Sequence, residues 1–241
     1  MQRESRGEMG ESVKERVEAV LERLARAAAR SGRPAEAVRL VAVSKTQPVA
    51  RIAEAHGAGL RVFGENYVQE AEGKVQAFPE AEWHLIGKLQ GNKVKKAVSL
   101  FGWIQTVDSP RLLADVSRRC AEAGKTLPVL VEVNVAGEGS KAGVSPDELP
   151  SLIDSAAGLP GVRIRGLMAI PPVTEDPEES RPYFARLREL MDLHSSRGST
   201  TGKMTELSMG MSNDFDVAIE EGATIVRVGT AIFGSRAWEE K

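Results

Sequence analysis

A lysine at the end of a buried strand is the first residue of this chain placed to do covalent chemistry. Lys45 follows the short run Leu40-Val41-Ala42-Val43-Ser44, which is apolar and β-branched and lies between Arg39 and Thr46-Gln47-Pro48. Such a run reads as a strand of a parallel sheet, buried on both faces. The carboxyl ends of these strands are where α/β barrels build their sites. A primary amine there is what Schiff-base chemistry with a carbonyl compound requires. A rim lysine that only snorkels into solvent has the same local sequence, so residues elsewhere must decide.

The deciding segments lie near the other end, in Leu207-Ser208-Met209-Gly210-Met211-Ser212-Asn213-Asp214 and Val226-Arg227-Val228-Gly229-Thr230-Ala231-Ile232-Phe233-Gly234. In barrels the loops after strands seven and eight often bind phosphate through backbone N–H groups at a helix start. Ser208, Ser212, Gly229 and Thr230 offer the small and hydroxyl groups such a cradle needs, and Met209 and Gly210, between the two serines, are counted with them as cofactor-binding. Gly210 is expected to let a ligand approach the backbone, and Ser212 to cap the following helix. A phosphate cradle across the barrel mouth from a strand-one lysine is the donor set for pyridoxal 5'-phosphate (PLP). Arg227 discriminates further. A guanidinium facing the pyridine nitrogen keeps its own charge and accepts no proton, so the ring nitrogen stays unprotonated. An outward Arg227 in a surface salt bridge is the other reading.

Placing these residues requires a regular scaffold. Strand-like runs occur at 40–44, 61–63, 83–86, 103–107, 129–135, 162–168, 206–208 and 225–228. Helical patterns lie between them at 49–56, 67–77, 109–123, 146–157, 178–194 and 214–221. Ahead of them, Val13, Val17, Val20, Leu21, Leu24 and Ala28 recur at helical spacing up to the stop Ser31-Gly32-Arg33-Pro34. Eight strands alternating with helices predict a single TIM (β/α)8 barrel with an extra N-terminal helix. An open doubly wound sheet is the alternative, weakened by the lack of a Gly-x-Gly-x-x-Gly after the first strand. Residues 1–11 read as a disordered N-terminal tail and 12–241 as one barrel domain.

Composition narrows the function classes. With 32 basic and 34 acidic residues the formal net charge is −2, so no basic field argues for nucleic acid. Cys120 is the only cysteine, which excludes a disulfide framework and a thiolate metal cluster; it reads as an inert buried thiol. No apolar run reaches the ~20 residues of a membrane span, and no signal peptide is legible at the start. Cytoplasmic residence, a monomer and no metal are therefore expected.

Six ordered motifs are recognisable together. They are Ala42-Val43-Ser44-Lys45-Thr46, Phe63-Gly64-Glu65-Asn66-Tyr67-Val68-Gln69-Glu70, Trp83-His84-Leu85-Ile86-Gly87, Arg165-Gly166-Leu167-Met168-Ala169-Ile170, Ser208-Met209-Gly210-Met211-Ser212 and the segment 226–234. Over residues 12–236 the chain resembles the pyridoxal phosphate homeostasis proteins, which share the barrel of the alanine racemase N-terminal domain. The resemblance implies a PLP Schiff base on Lys45, a phosphate held around Ser208, Ser212, Gly229 and Thr230, and Arg227 at the ring nitrogen. It also implies that Asn66, His84 and Met168 line the cofactor's surroundings. From the residues alone, Asn66 also reads as a helix N-cap, His84 as a hydrogen-bonded interior histidine and Met168 as core. One departure is the loop Gly87-Lys88-Leu89-Gln90-Gly91-Asn92-Lys93, with Lys88 for an expected proline and Gly91 for an expected serine.

The resemblance implies binding, storage and handover of PLP to PLP-requiring apo-enzymes, with no catalytic residue of its own. A PLP-dependent amino-acid racemase is the alternative. That chemistry needs a second acid/base, a tyrosine that alanine racemase takes from an added β-domain expected to be missing here. Tyr67 and Tyr183 are the only tyrosines, and neither is placed like it. Lys141, in a glycine-flanked loop after strand five, is a candidate transient acceptor during handover.

Overall fold

Ser12 starts the first helix, α1 (Val13–Arg30), with a reciprocal cap: its Oγ accepts the Glu15 N–H at 3.2 Å, and Glu15 Oε2 accepts the Ser12 N–H at 2.7 Å. The helix buries one stripe, Val13, Val17, Val20, Leu24, Ala27 and Ala28. This computed structural model describes residues 11–138, 142–195 and 203–234. Residues 1–10 of the expected tail, and Lys141, lie outside the described residues.

Eight parallel strands follow: β1 (Arg39–Val43), β2 (Val62–Glu65), β3 (Glu82–Leu85), β4 (Trp103–Val107), β5 (Leu127–Glu132), β6 (Val162–Met168), β7 (Glu206–Ser208) and β8 (Ile225–Val228). Each pairs with the next, and β8 returns to β1 through Arg39↔Ile225, Leu40↔Val226, Val41↔Arg227 and Ala42↔Val228. That last ladder closes the barrel and removes the open-sheet alternative. The helices are α2 (Val49–Gly57), α3 (Val68–Ala77), α4 (Val94–Leu100), α5 (Pro110–Glu122), α6 (Leu149–Asp154), α7 (Arg181–His194), α8 (Phe215–Glu220) and α9 (Thr230–Phe233). The strands end within a few residues of their expected limits. β5 starts two residues early, because Leu127 and Pro128 already pair with Val162 and Arg163. Pro182 at the first turn of α7 sets that helix's start, and the expected stretch before it is a 3-10 turn. The helices α4 and α9 had no periodic signal, since seven and four residues barely exceed one turn or two.

Two cores result. The larger lies between strands and helices and takes in α1, which packs against α2, α8 and α9. Cys120 is buried in it, and burial pushes its thiol up, away from the reactive thiolate. The smaller fills the barrel interior with Val41, Leu130, Met168 and Ile225, flanked by Val62 and Trp103. Side chains two apart on a strand share a face, so Arg227, Gln105 and Glu132 project to the same interior as Ile225, Trp103 and Leu130. The barrel is apolar at one level and polar at the next. Among the described residues no helix is long and apolar enough to cross a membrane.

α1 has no strand partner; its buried stripe holds it, helped by the ion pairs Arg23–Asp216 and Arg30–Glu220 to α8. Leu24→Ala should lower unfolding free energy by roughly 2–5 kcal/mol, while Leu21→Ala on the outer face should stay within about 0.5 kcal/mol. Urea denaturation of the two variants checks this.

Candidate functional site

β1 ends in a buried serine, a half-buried lysine and a strained threonine. Thr46 is the only described non-glycine residue with positive φ, at 62°, a conformation that is a genuine outlier for a β-branched side chain. A buried polar cluster holds it there. Glu70 Oε1 accepts the Thr46 N–H at 2.5 Å. Lys74 Nζ donates to Glu70 Oε1 at 2.6 Å, to Glu65 Oε1 at 2.8 Å and to the Ser44 carbonyl at 2.7 Å. Ser44 Oγ donates to Glu65 Oε1 at 2.6 Å. Burial pushes the Glu65 carboxyl above the usual carboxylate range, against the pull of Lys74 and Ser44. The motif around Glu65 does not by itself reveal this cluster; its one sequence signal is a lysine, Lys74, on the same helical face as Val68 and Ala71.

The neighbouring strands bring the other candidates to Lys45. The pairing Ala42↔Val228 sets Gly229 beside Val43, where a Cβ on Gly229 would stand 3.3 Å from the Val43 Cβ. Ser212 Oγ reaches across to this turn and accepts the N–H groups of Gly229 and Ala231, each at 3.2 Å. Among the described residues no group accepts its own O–H. The expected Ser212 cap of the next helix is therefore corrected: Ser212 organises the start of α9, and α8 begins at Asp214, whose Oδ1 accepts the Met211 N–H at 2.7 Å. Gly210 is also corrected. Its φ is +90°, and a Cβ would stand 2.5 Å from the Ala218 Cβ, so α8 is what approaches this backbone. Met209 is buried in the outer core, and Thr230 is exposed at the α9 start.

Arg227 points inward. It is 3% exposed, which excludes the outward salt bridge. One Nη donates to Ser208 Oγ at 2.6 Å and the other to the Ala169 carbonyl at 2.9 Å. Burial pushes its pKa down to about 10, opposed by Glu132 and Asp214, so the guanidinium remains charged at neutral pH. Ser208 Oγ then donates to Gln105 Oε1 at 2.6 Å, Gln105 Nε2 meets His84 Nδ1 at 2.7 Å, and His84 Nε2 meets Glu82 Oε1 at 2.6 Å. Every link donates in one direction, which requires His84 neutral with its proton on Nε2. The Ser208 hydroxyl is thus committed to the interior chain beneath Arg227. Gln105 and Glu132, missed in sequence, complete this layer; burial pushes the Glu132 carboxyl up while Arg227 pulls it down.

His84 lies inside this chain, as one of its sequence readings had it, and Met168 belongs to the interior apolar cluster. Asn66 is not the N-cap of α3; Tyr67 takes that position without a side-chain bond. From the pairing Val43↔Gly64, Lys45 and Asn66 leave the barrel on adjacent strands. Asn66 packs on Gly87 and, with Lys88 and Lys93, lines a cleft of about 380 Å³ at the mouth.

Known proteins share this fold. The alanine racemase N-terminal domain family matches residues 16–237. A pyridoxal phosphate homeostasis protein of Aquifex aeolicus is 45% identical over 93% of this chain and 98% of its own. The chain belongs to the pyridoxal phosphate homeostasis protein family. PipY of Synechococcus elongatus, solved with PLP bound, superposes with a TM-score of 0.79 at 39% identity, covering 92% of this chain and 100% of PipY. Alanine racemase of Corynebacterium glutamicum, at 14% identity and a TM-score of 0.72 over 95% of this chain and 64% of the racemase, shares the fold.

The interior chain makes a pH prediction. Burial pushes His84 below its ordinary value of 6.5, against the pull of Glu82. The unfolded chain therefore takes up a proton below pH 6.5 that the folded protein refuses, and stability falls from there toward the folded pKa. Glu82, held low chiefly by its bond to His84, adds a loss only below about its ordinary 4.5. Between pH 7 and 5 the difference in stability between native protein and His84→Gln should shrink; a parallel pair of curves would contradict the neutral His84.

Proposed function

We propose that this protein binds PLP through a covalent bond to Lys45 and serves intracellular PLP (vitamin B6) homeostasis by holding the cofactor and releasing it to apo-enzymes. The observation that carries this reading is the closing ladder Ala42↔Val228, which sets the strand-one lysine beside the β8 turn and the inward Arg227. The donor set fits the group. Lys45 offers an amine, Ser212 a hydroxyl anchored by the Gly229 and Ala231 amides, and Arg227 a charged, buried donor. When bound, PLP supplies an aldehyde carbon for a lysine amine and an electron-withdrawing ring.

The chain's own residues account for the rest. Gly229, Thr230 and Ser212 receive the phosphate, with Met209 and Gly210 shaping the loop behind it. Arg227 faces the ring nitrogen and donates to it, and Ser208 and His84 hold Arg227 from below through Gln105. Met168 and Asn66 border the ring on the interior and the mouth side. A charged arginine, unlike a carboxylate, leaves the nitrogen unprotonated and so favours storage over carbanion chemistry. The one-domain unit 12–241 acts in the cytoplasm as a monomer, without metal.

Lys45→Ala should abolish the absorbance near 420 nm and the borohydride-stable adduct, with an unchanged melting curve, since a rim lysine packs little. An adduct retained in full would contradict the anchor. Pyridoxal should bind more weakly than PLP by roughly 2–4 kcal/mol if the phosphate takes charge-assisted bonds; equal affinities by titration would remove the cradle. Transfer of PLP from the loaded protein to an excess of apo-enzyme tests carriage, and no transfer would rule it out.

A further inference from the structure

The peptide groups on both sides of the Lys45 Cα are held by one buried cluster. The Ser44 carbonyl belongs to the peptide before Lys45 and accepts from Lys74; the Thr46 N–H belongs to the peptide after it and donates to Glu70. Lys74 is 5% exposed and Glu65 fully buried. A buried ion pair is a poor device for stability alone, because desolvation offsets most of its attraction. This one is not even saturated, since Glu65 Oε2 is buried with no hydrogen-bond partner. Thr46 meanwhile keeps a φ of 62° that its own side chain disfavours, and such strain persists only where the surroundings over-determine it.

We propose that Lys74, Glu65 and Glu70 are positioning residues for Lys45, clamping its two flanking peptides so that its amine is aimed at the barrel mouth for covalent capture of an aldehyde. This rests on the role given to Lys45 above. Capture joins the Lys45 nitrogen to the aldehyde carbon, and the aldehyde oxygen leaves as water with both amine protons. No oxidant or reductant is consumed. The cluster acts on the orientation of the amine and leaves phosphate binding to the β7 and β8 loops. Loss of the cluster should therefore separate two ligands: PLP, which reacts with the amine, and pyridoxine 5'-phosphate, which carries an alcohol in place of the aldehyde and cannot.

The test uses the double variant Glu65→Gln/Lys74→Met, which removes one charge of each sign and leaves the local net charge unchanged. PLP affinity should fall about tenfold or more, the scale of one lost charge-assisted hydrogen bond. Pyridoxine 5'-phosphate affinity and the pH midpoint of capture should hold. In the PLP-free protein, hydrogen exchange at the Thr46 amide should quicken by a similar factor. Unchanged PLP affinity, or equal losses for both ligands, would overturn the positioning role. If the double variant does not fold, Glu70→Ala carries the same test, because it removes the Thr46 anchor and one of the three acceptors of Lys74 while leaving the Lys74–Glu65 pair in place. It should show the same split between ligands, and no split would overturn the proposal. Native protein that gives no borohydride-trapped PLP on Lys45 would instead overturn the reading of Lys45 itself.

Discussion

Hydrogen bonding between the first strand and the last is the constraint on which the site depends. Without the β1–β8 ladder, Lys45 and Arg227 would sit at opposite edges of an open sheet, more than 180 residues apart in the chain. With it, Val41 and Arg227 are paired neighbours and Gly229 abuts Val43. The ladder is made possible by the curvature that eight tilted strands impose on a closed sheet. α1 covers its outer side, since it packs against α2, α8 and α9.

Closure also creates an interior that has to be filled, and here it is filled unevenly. Val41, Leu130, Met168 and Ile225 form an ordinary apolar layer. The layer toward the mouth holds a buried cation, Arg227, and buried carboxyls that would be costly if left unpartnered. The donor chain from Arg227 through Ser208, Gln105 and His84 to Glu82 satisfies each polar atom in turn and ends at a half-exposed carboxylate. A one-directional chain of this kind keeps the Ser208 oxygen turned to accept from Arg227, because turning Gln105 over would set its Oε1 against the unprotonated His84 Nδ1, acceptor against acceptor. Arg227 is thus held from behind by this chain, and the two peptides flanking Lys45 are held by the Glu65–Lys74–Glu70 cluster.

Much of this was legible in the residues, for physical reasons. Buried parallel strands are short apolar runs, so all eight were found, and 103–107, 162–168, 206–208 and 225–228 matched in full. Lys45, Arg227 and Gly229 stood out as a set, because a rim lysine or a loop glycine alone has ordinary structural uses and only their combination points to one ligand. What escaped were partnerships across elements. Ser212 reads as a helix cap from its position, yet its hydroxyl serves the next βα turn, because β7 and β8 are adjacent in space. Gly210 reads as a place for ligand to approach, yet α8 fills that space. Lys74 and Gln105 carried no motif of their own; their roles exist only once β2 and α3, or β3, β4 and β7, are assembled.

The central claim is that one covalent anchor and one phosphate cradle face each other across the mouth of this barrel. A crystal structure of the protein loaded with PLP tests it most directly. Continuous density is expected from Lys45 Nζ to the cofactor, with the ring nitrogen toward Arg227 and the phosphate at Ser212, Gly229 and Thr230. A phosphate seated instead in the cleft beside Lys88 and Lys93, or a cofactor unattached to Lys45, would contradict it.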